Sequence, residues 1–240
     1  MARNRTAHGA PTGGENTVEA KAILSTQSGP TPLQTEIAQG FFELPESEGF
    51  AVHGGLALSA LGVTTRPSED IDLFTSRAGA VTTAADALIR MSETRGWSTE
   101  RVRWSDTFVR IEISEGPDST LVDIAQDAPP LFEFADTSLG PTVSEREMLG
   151  RKLATIMTRT EPRDFSDLYV LLQTSTRSEA IAVAQEIDLG FHLGFVAESM
   201  ANITRFDDAD FPQQGPSPSD LKAYFTDWSK KLALAAQSDF

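Results

Sequence analysis

Ala51-Val52-His53-Gly54-Gly55-Leu56-Ala57-Leu58-Ser59-Ala60-Leu61-Gly62-Val63-Thr64-Thr65-Arg66-Pro67-Ser68-Glu69-Asp70-Ile71-Asp72-Leu73-Phe74-Thr75 carries the most specific pattern in the chain. Its first half joins an apolar run ending at Val52 to a glycine pair. Apolar residues at helical spacing follow, Leu56, Ala57, Leu58, Ala60 and Leu61, and stop at Gly62. That order predicts a strand, a turn and a short helix. Adjacent glycines let the backbone approach a bound group and offer its N–H donors to an anion. The second half alternates charged and apolar side chains, so a strand over Asp70 to Phe74 places Ile71 and Leu73 on one face and both carboxylates on the other. Asp is a poor strand former. Two carboxylates on one face repel unless a cation lies between them, and Mg²⁺ takes oxygen ligands of this kind. The plainer alternative is an edge strand with one solvated face.

Gly54-Gly55, fourteen residues, then Asp70-x-Asp72 resembles the signature of the DNA polymerase β-like nucleotidyltransferases. The fuller text, Gly54-Gly55-x-Ala57-Leu58 followed by Arg66-x-Ser68-x-Asp70-Ile71-Asp72-Leu73-Phe74, resembles the AbiEii-type toxins of bacterial toxin–antitoxin systems. A second stretch fits that family as well. Arg151-Lys152-Leu153-Ala154, Arg159 and Arg163-Asp164-Phe165-x-Asp167-Leu168-Tyr169 resemble its Lys-Leu pair leading to Asp-x-x-Asp.

Outward from the motif, Leu33 to Leu44 and Ala78 to Arg95 show helical periodicity. Trp97 to Trp104, Phe108 to Ser114 and Thr120 to Ala125 read as strands, the last two joined at Gly116-Pro117-Asp118 as a hairpin. Asp123 interrupts the apolar Leu121-Val122-x-Ile124, and a lone carboxylate there costs free energy unless something pairs with it. In the resembled fold the third metal-binding carboxylate sits on a strand beside Asp-x-Asp, and Asp123 is the best-placed candidate. Its alternative role is a strand-end Asp capping a loop.

Ser144 to Arg159 reads as a helix with a Ser144-Glu145-x-Glu147 capping start. Lys152 falls inside its apolar stripe, where a lysine either snorkels or meets an anion. Pro162 opens another helix with Phe165, Leu168, Tyr169 and Leu172 on its apolar face, Asp164 at the border and Asp167 further out, where both acids would favour the helix dipole. Helical patterns continue over Ser178 to Ile187, Leu193 to Ile203 and Ser219 to Ala236. The acidic loop Asp207-Asp208-Ala209-Asp210 reads as solvated.

The chain has 240 residues, no Cys, three scattered His and a net charge of −15. Without Cys there is no disulfide framework, and His8, His53 and His192 make no ordinary zinc site. Phosphate-loop, dinucleotide and nucleophile-elbow motifs are missing as well, and these absences together remove kinase-like, dinucleotide and zinc-hydrolase readings. No apolar run of about eighteen residues suggests a membrane span, and Arg3 and Arg5 precede no signal-like apolar region. A cytoplasmic location is expected. An acidic chain does not grip nucleic acid along its length, so RNA contact needs a local patch, for which Arg101, Arg103 and Arg110 on adjacent strands are candidates.

The expected architecture is α+β: a mobile tail over 1–32, an α/β nucleotidyltransferase core with a mixed sheet over 33–143, and an all-helical C-terminal domain over 144–240. The resemblance implies a nucleotidyltransferase that uses an NTP and two Mg²⁺ ions held by Asp70, Asp72 and Asp123. Gly54, Gly55, Arg66 and the hydroxyl of Ser68 or Ser59 would meet the nucleotide, with Lys152, Arg159 and Arg163 on its phosphates. Roles for Asp164 and Asp167 stay open between helix capping, organising Lys152 and binding base or acceptor. The family implies a cognate antitoxin and the 3′ end of tRNA as acceptor. A small antibiotic, a protein hydroxyl or an inactive binding module are the rival readings.

Overall fold

The computed structural model describes residues 29–238. The weak apolar pattern at Val18 to Leu24 and most of the tail expected over 1–32 lie outside them. Helix α1 (Pro32–Phe42) starts on a reciprocal cap, in which the Thr31 hydroxyl accepts from the Gln34 N–H and the Gln34 side chain accepts from the Thr31 N–H. Then come β1 (Phe50–His53), α2 (Gly54–Ala60), β2 (Asp70–Thr75) and α3 (Ala80–Thr94). Three strands follow, β3 (Ser98–Trp104), β4 (Phe108–Glu115) and β5 (Asp118–Gln126), and then the short pair β6 (Ala135–Thr137) and β7 (Gly140–Thr142).

These seven strands form one mixed sheet in the order β3-β4-β5-β2-β1-β7-β6. β2 lies antiparallel to β1 and parallel to β5, while β3, β4 and β5 form an antiparallel meander. The two-residue turn from β4 to β5 uses the positive φ of Gly116, 58°, at its first position. One sheet face, with Ile71, Leu73, Val109, Ile111, Val122 and Ile124, is buried against α1 and α3. The alternation of β2 therefore turns Asp70 and Asp72 to the opposite face.

After β7 the described chain is helical: α4 (Glu145–Thr158), α5 (Pro162–Leu171), α6 (Arg177–Ile187), α7 (Leu193–Ala201) and α8 (Pro218–Ser238), with short helical turns between α7 and α8. The buried apolar cluster continues from the sheet into these helices through Met148, Leu149, Leu153 and Ile156 of α4. Phe165 of α5 meets Phe225 of α8 edge-on at 5.0 Å, and Tyr169 meets Tyr224 at 5.0 Å. The capping start of α4 is only half as expected. Ser144 accepts from the Glu147 N–H, but the Glu147 carboxylate is drawn to Arg151 and to the backbone N–H groups of Leu131 and Phe132. The acidic turn at Asp207 to Asp210 caps itself, and Asp208 pairs with Lys222 at 2.7 Å. Among the described residues no helix is long and apolar enough to cross a membrane.

Candidate active site

Sheet register brings the first carboxylates together. Asp72 of β2 lies directly opposite Asp123 of β5 and opposite His53 of β1, and Asp70 is on the same face two residues earlier. A cleft of about 140 Å³ opens over them. Gly54, Gly55, Ser68 and Arg66 line it together, and Lys152, Arg159 and Arg163 complete the lining, with Arg110 paired to Asp123. Ser59, the alternative hydroxyl, does not line this cleft; it sits along α2 near Gly29. Ser68 donates its hydroxyl to the Asp70 carbonyl at 3.0 Å, which fixes the approach to β2.

Gly54 adopts a φ of 66°, and a Cβ there would collide with the Asp72 carboxylate. A Cβ on Gly55 would come within 2.9 Å of both the Arg66 guanidinium and Ser68 Oγ. The glycine pair is thus the only residue type that fits between a carboxylate and a guanidinium at this turn. Gly54→Ala should cost roughly 1–2 kcal/mol from the backbone alone and push Asp72 out of register. A melting curve read beside a transfer assay checks it, and unaltered transfer would show that the carboxylate has room to move.

Asp72 is half-buried, and its carboxyl is pushed up to about 7, first by desolvation and then by the charges of Asp70 and Asp123. His53 stacks on Phe74 at 4.9 Å and is held neutral, its pKa lowered to about 3 by burial and then by Arg151. Asp123 completes the trio of carboxylates on this face and already has a partner. Arg110 holds it in a two-pronged pair, Nε to Oδ1 and Nη2 to Oδ2, both 2.6 Å, and among the described residues no three His, Cys, Asp or Glu side chains form a ready metal cluster. Asp123 thus stands with Asp70 and Asp72 as expected, with its oxygens engaged by Arg110. Sequence distance hid the partner, because Arg110 and Asp123 face each other only through the β4–β5 register. The donor set still fits a hard divalent cation at Asp70 and Asp72, since crowded carboxylate oxygens are what such an ion prefers and Asp72 is strained toward protonation without one.

One expectation is corrected in α5. Asp164 and Asp167 are 0% and 1% exposed, not edge and outward charges. Asp167 accepts from Arg66 Nε at 2.7 Å and Nη2 at 2.6 Å, and pairs with Lys152 at 2.7 Å. Asp164 takes Lys152 at 3.2 Å and the Arg159 guanidinium at 3.2 Å. Burial opposes the charge on Asp167, but the Arg66 hydrogen bonds and the Lys152 charge outweigh it and hold the carboxyl below its ordinary value. Lys152, 7% exposed, does not snorkel; it is pinned by two acids while still lining the cleft. Arg163 pairs with Glu161 at 2.8 Å at the cleft mouth. The two sequence motifs are therefore one assembly, joined by Arg66 and Asp167 across 101 residues.

The three-arginine patch is divided. A register shift between Arg101 and Arg103 turns Arg101 toward Asp86 of α3, at 2.9 Å, with its guanidinium 4.0 Å from the Trp104 ring. Arg103 pairs in register with Arg110 and shares the carboxylate face.

The description "Nucleotidyl transferase AbiEii toxin, Type IV TA system" matches residues 37–227. Comparison with curated proteins finds no match. Among solved structures, MenT4, a nucleotidyltransferase toxin from Mycobacterium tuberculosis H37Rv, is similar at a TM-score of 0.60 and 15% identity, covering 88% of this chain and 87% of that one. JHP933 from Helicobacter pylori is similar at a TM-score of 0.53 and 12% identity, covering 94% and 95%. These structural likenesses speak to the fold. With the family matched over most of its length, through both motifs that wall the cleft, this chain belongs to the AbiEii nucleotidyl transferase toxins of type IV toxin–antitoxin systems.

Proposed function

We propose that this nucleotidyltransferase transfers a nucleotide from an NTP to the 3′ hydroxyl of tRNA, in a reaction that depends on Mg²⁺, and that a cognate antitoxin restrains it. The observation that carries the chemistry is that one cleft gathers Asp70, Asp72 and Asp123 with cations and bare glycine backbone. Five cationic side chains line that cleft beside three carboxylates, so a triphosphate arriving there finds cations within reach although the whole chain carries −15. Asp164 and Asp167 stand just behind and cancel the excess, which leaves room for added positive charge.

Asp70 and Asp72 would hold the ions, and Asp123 would join them once Arg110 releases it. Bound there, divalent ions lower the pKa of the acceptor hydroxyl and neutralise the triphosphate. The acceptor oxygen forms a bond to the α-phosphorus, the bond from that phosphorus to the β-bridging oxygen breaks, pyrophosphate leaves, and the hydroxyl proton passes to solvent or a carboxylate. Gly54, Gly55 and Ser68 would accommodate the phosphates, and Lys152, Arg159 and Arg163 would balance the charge on the departing pyrophosphate. Arg66, Asp164 and Asp167 would act as positioning residues that aim those cations. In this reading 33–143 handles the nucleotide and 144–240 closes the cleft from above.

Incubating the protein with total tRNA, Mg²⁺ and each labelled NTP should move label onto tRNA, and EDTA should abolish it. Label appearing on protein or on a small-molecule hydroxyl would replace the acceptor. No transfer in any combination would overturn the reading.

A further inference from the structure

An in-line displacement needs the attacking hydroxyl and the departing pyrophosphate on opposite sides of the phosphorus. The groups suited to the pyrophosphate are contiguous and lie on the β1 side of the carboxylates: Gly55 adjoins Ser68 and Arg66, Arg66 binds Asp167, and Asp167 binds Lys152. The acceptor must then arrive from the β5 and β4 side, across Asp123. Beyond Asp123 on that face stand Arg110 and Phe108 of β4 and, in register with Arg110, Arg103 of β3, the strand at the sheet edge. The Phe108 ring is part-exposed, with the Arg103 guanidinium 5.0 Å and the Arg110 guanidinium 6.0 Å from its centroid. Arg103 is exposed.

We propose that Arg103, Phe108 and Arg110 form the acceptor platform, a site for the single-stranded 3′ end of a polynucleotide; the proposal rests on the transferase reading above. A ring flanked by guanidinium groups is a sequence-tolerant stacking surface for a base. The fork with which Arg110 grips a carboxylate matches a phosphodiester equally well. When the last phosphodiester of the acceptor takes over that fork, Asp123 is released next to the arriving hydroxyl. The bulge that sends Arg101 to the other face and keeps Arg103 on this one gives the platform its second cation. The platform is small, which suits a chain whose net charge of −15 disfavours gripping RNA along its length. A small antibiotic or a protein hydroxyl brings no phosphodiester to exchange with Asp123.

Two variants that leave the carboxylates untouched test it, Arg103→Gln and Phe108→Leu, alone and combined. The probe is a 5′-fluorescein single-stranded RNA dodecamer with a free 3′ hydroxyl, read by anisotropy. The combined variant should weaken binding at least tenfold and flatten its salt dependence, while the melting temperature and the KM for NTP stay put. Equal binding by the variants, no binding by the wild type, or a matching rise in the KM for NTP would each overturn the platform. Label transfer by the wild type is measured alongside. If it labels RNA and the variants keep their RNA KM, the platform fails and the transferase reading stands; if it labels nothing, that reading fails, and anisotropy alone decides the platform.

Discussion

Asp72→Asn is expected to abolish nucleotide transfer, by roughly 10³-fold or more, while making the protein more stable at pH 8 in the absence of divalent ions. The second half follows from the partial burial of Asp72 beside two other carboxylates, which raises its carboxyl from 3.8 to about 7. Below about pH 4 the folded and unfolded states both hold this proton. Between about pH 4 and pH 7 only the folded state does, so by linkage stability falls as pH rises through that window and stays lower above it. Even half of the shift, at about 1.36 kcal/mol per unit, would be worth about 5 °C in melting temperature for a chain of this size. The variant should therefore melt above the wild type at pH 8 and approach it only below about pH 4. Mg²⁺ should raise the melting temperature of the wild type and leave that of the variant almost unmoved. A variant melting below the wild type at pH 8 would mean that Asp72 is already compensated by Lys152 and Arg159, the two cations that pull its carboxyl down.

Much of this site was visible in the order of residues, for identifiable reasons. Side chains alternate strictly along a strand, so Asp70-Ile71-Asp72-Leu73 could only put both acids on one face, and β2 does so. Asp123 stood out because it interrupts an apolar run, and β5 places it opposite Asp72. What escaped were relations between distant segments. The Arg110–Asp123 pair depends on hairpin register, and the shift between Arg101 and Arg103 carries no glycine to announce it. The hairpin of β6 and β7, three residues each with Pro141 inside, is too short for any periodic signal. Helical periodicity misplaced Asp164 and Asp167 for a different reason. It counts polar residues as solvent-facing, whereas α5 is buried on two sides, by the apolar core and by a layer of cations. A lysine inside an apolar stripe and an arginine ahead of Asp-x-Asp were the hints that this second burial had partners.

That layer leads to the other large effect. Asp167→Ala removes the shared counter-ion of Arg66 and Lys152, whose side chains are both 9% exposed, and leaves Lys152 in direct contact with Asp164 alone and Arg66 without its two-pronged partner. Stranding a buried charge costs about 3–5 kcal/mol, so the melting temperature should fall by about 10 °C, and the loss should show as a lower urea midpoint. Acid should expose the same dependence, because the Asp167 carboxyl lies below its ordinary value in the folded state and its contribution is lost as pH falls through that lowered value. The triple variant Arg66→Met, Lys152→Met and Asp167→Leu separates stability from activity. Replacing a buried ion cluster by apolar side chains of similar volume is often neutral or stabilising, so most of the lost stability should return. Transfer should not, because the cleft lining beside Asp70 and Asp72 would have lost both Lys152 and Arg66. If Asp167→Ala costs less than about 1 kcal/mol, the cluster is effectively solvated and Asp167 does not tie the two motifs together. If the triple variant recovers transfer along with stability, these two cations do not act on the nucleotide, and Arg159 and Arg163 must carry its charge unaided.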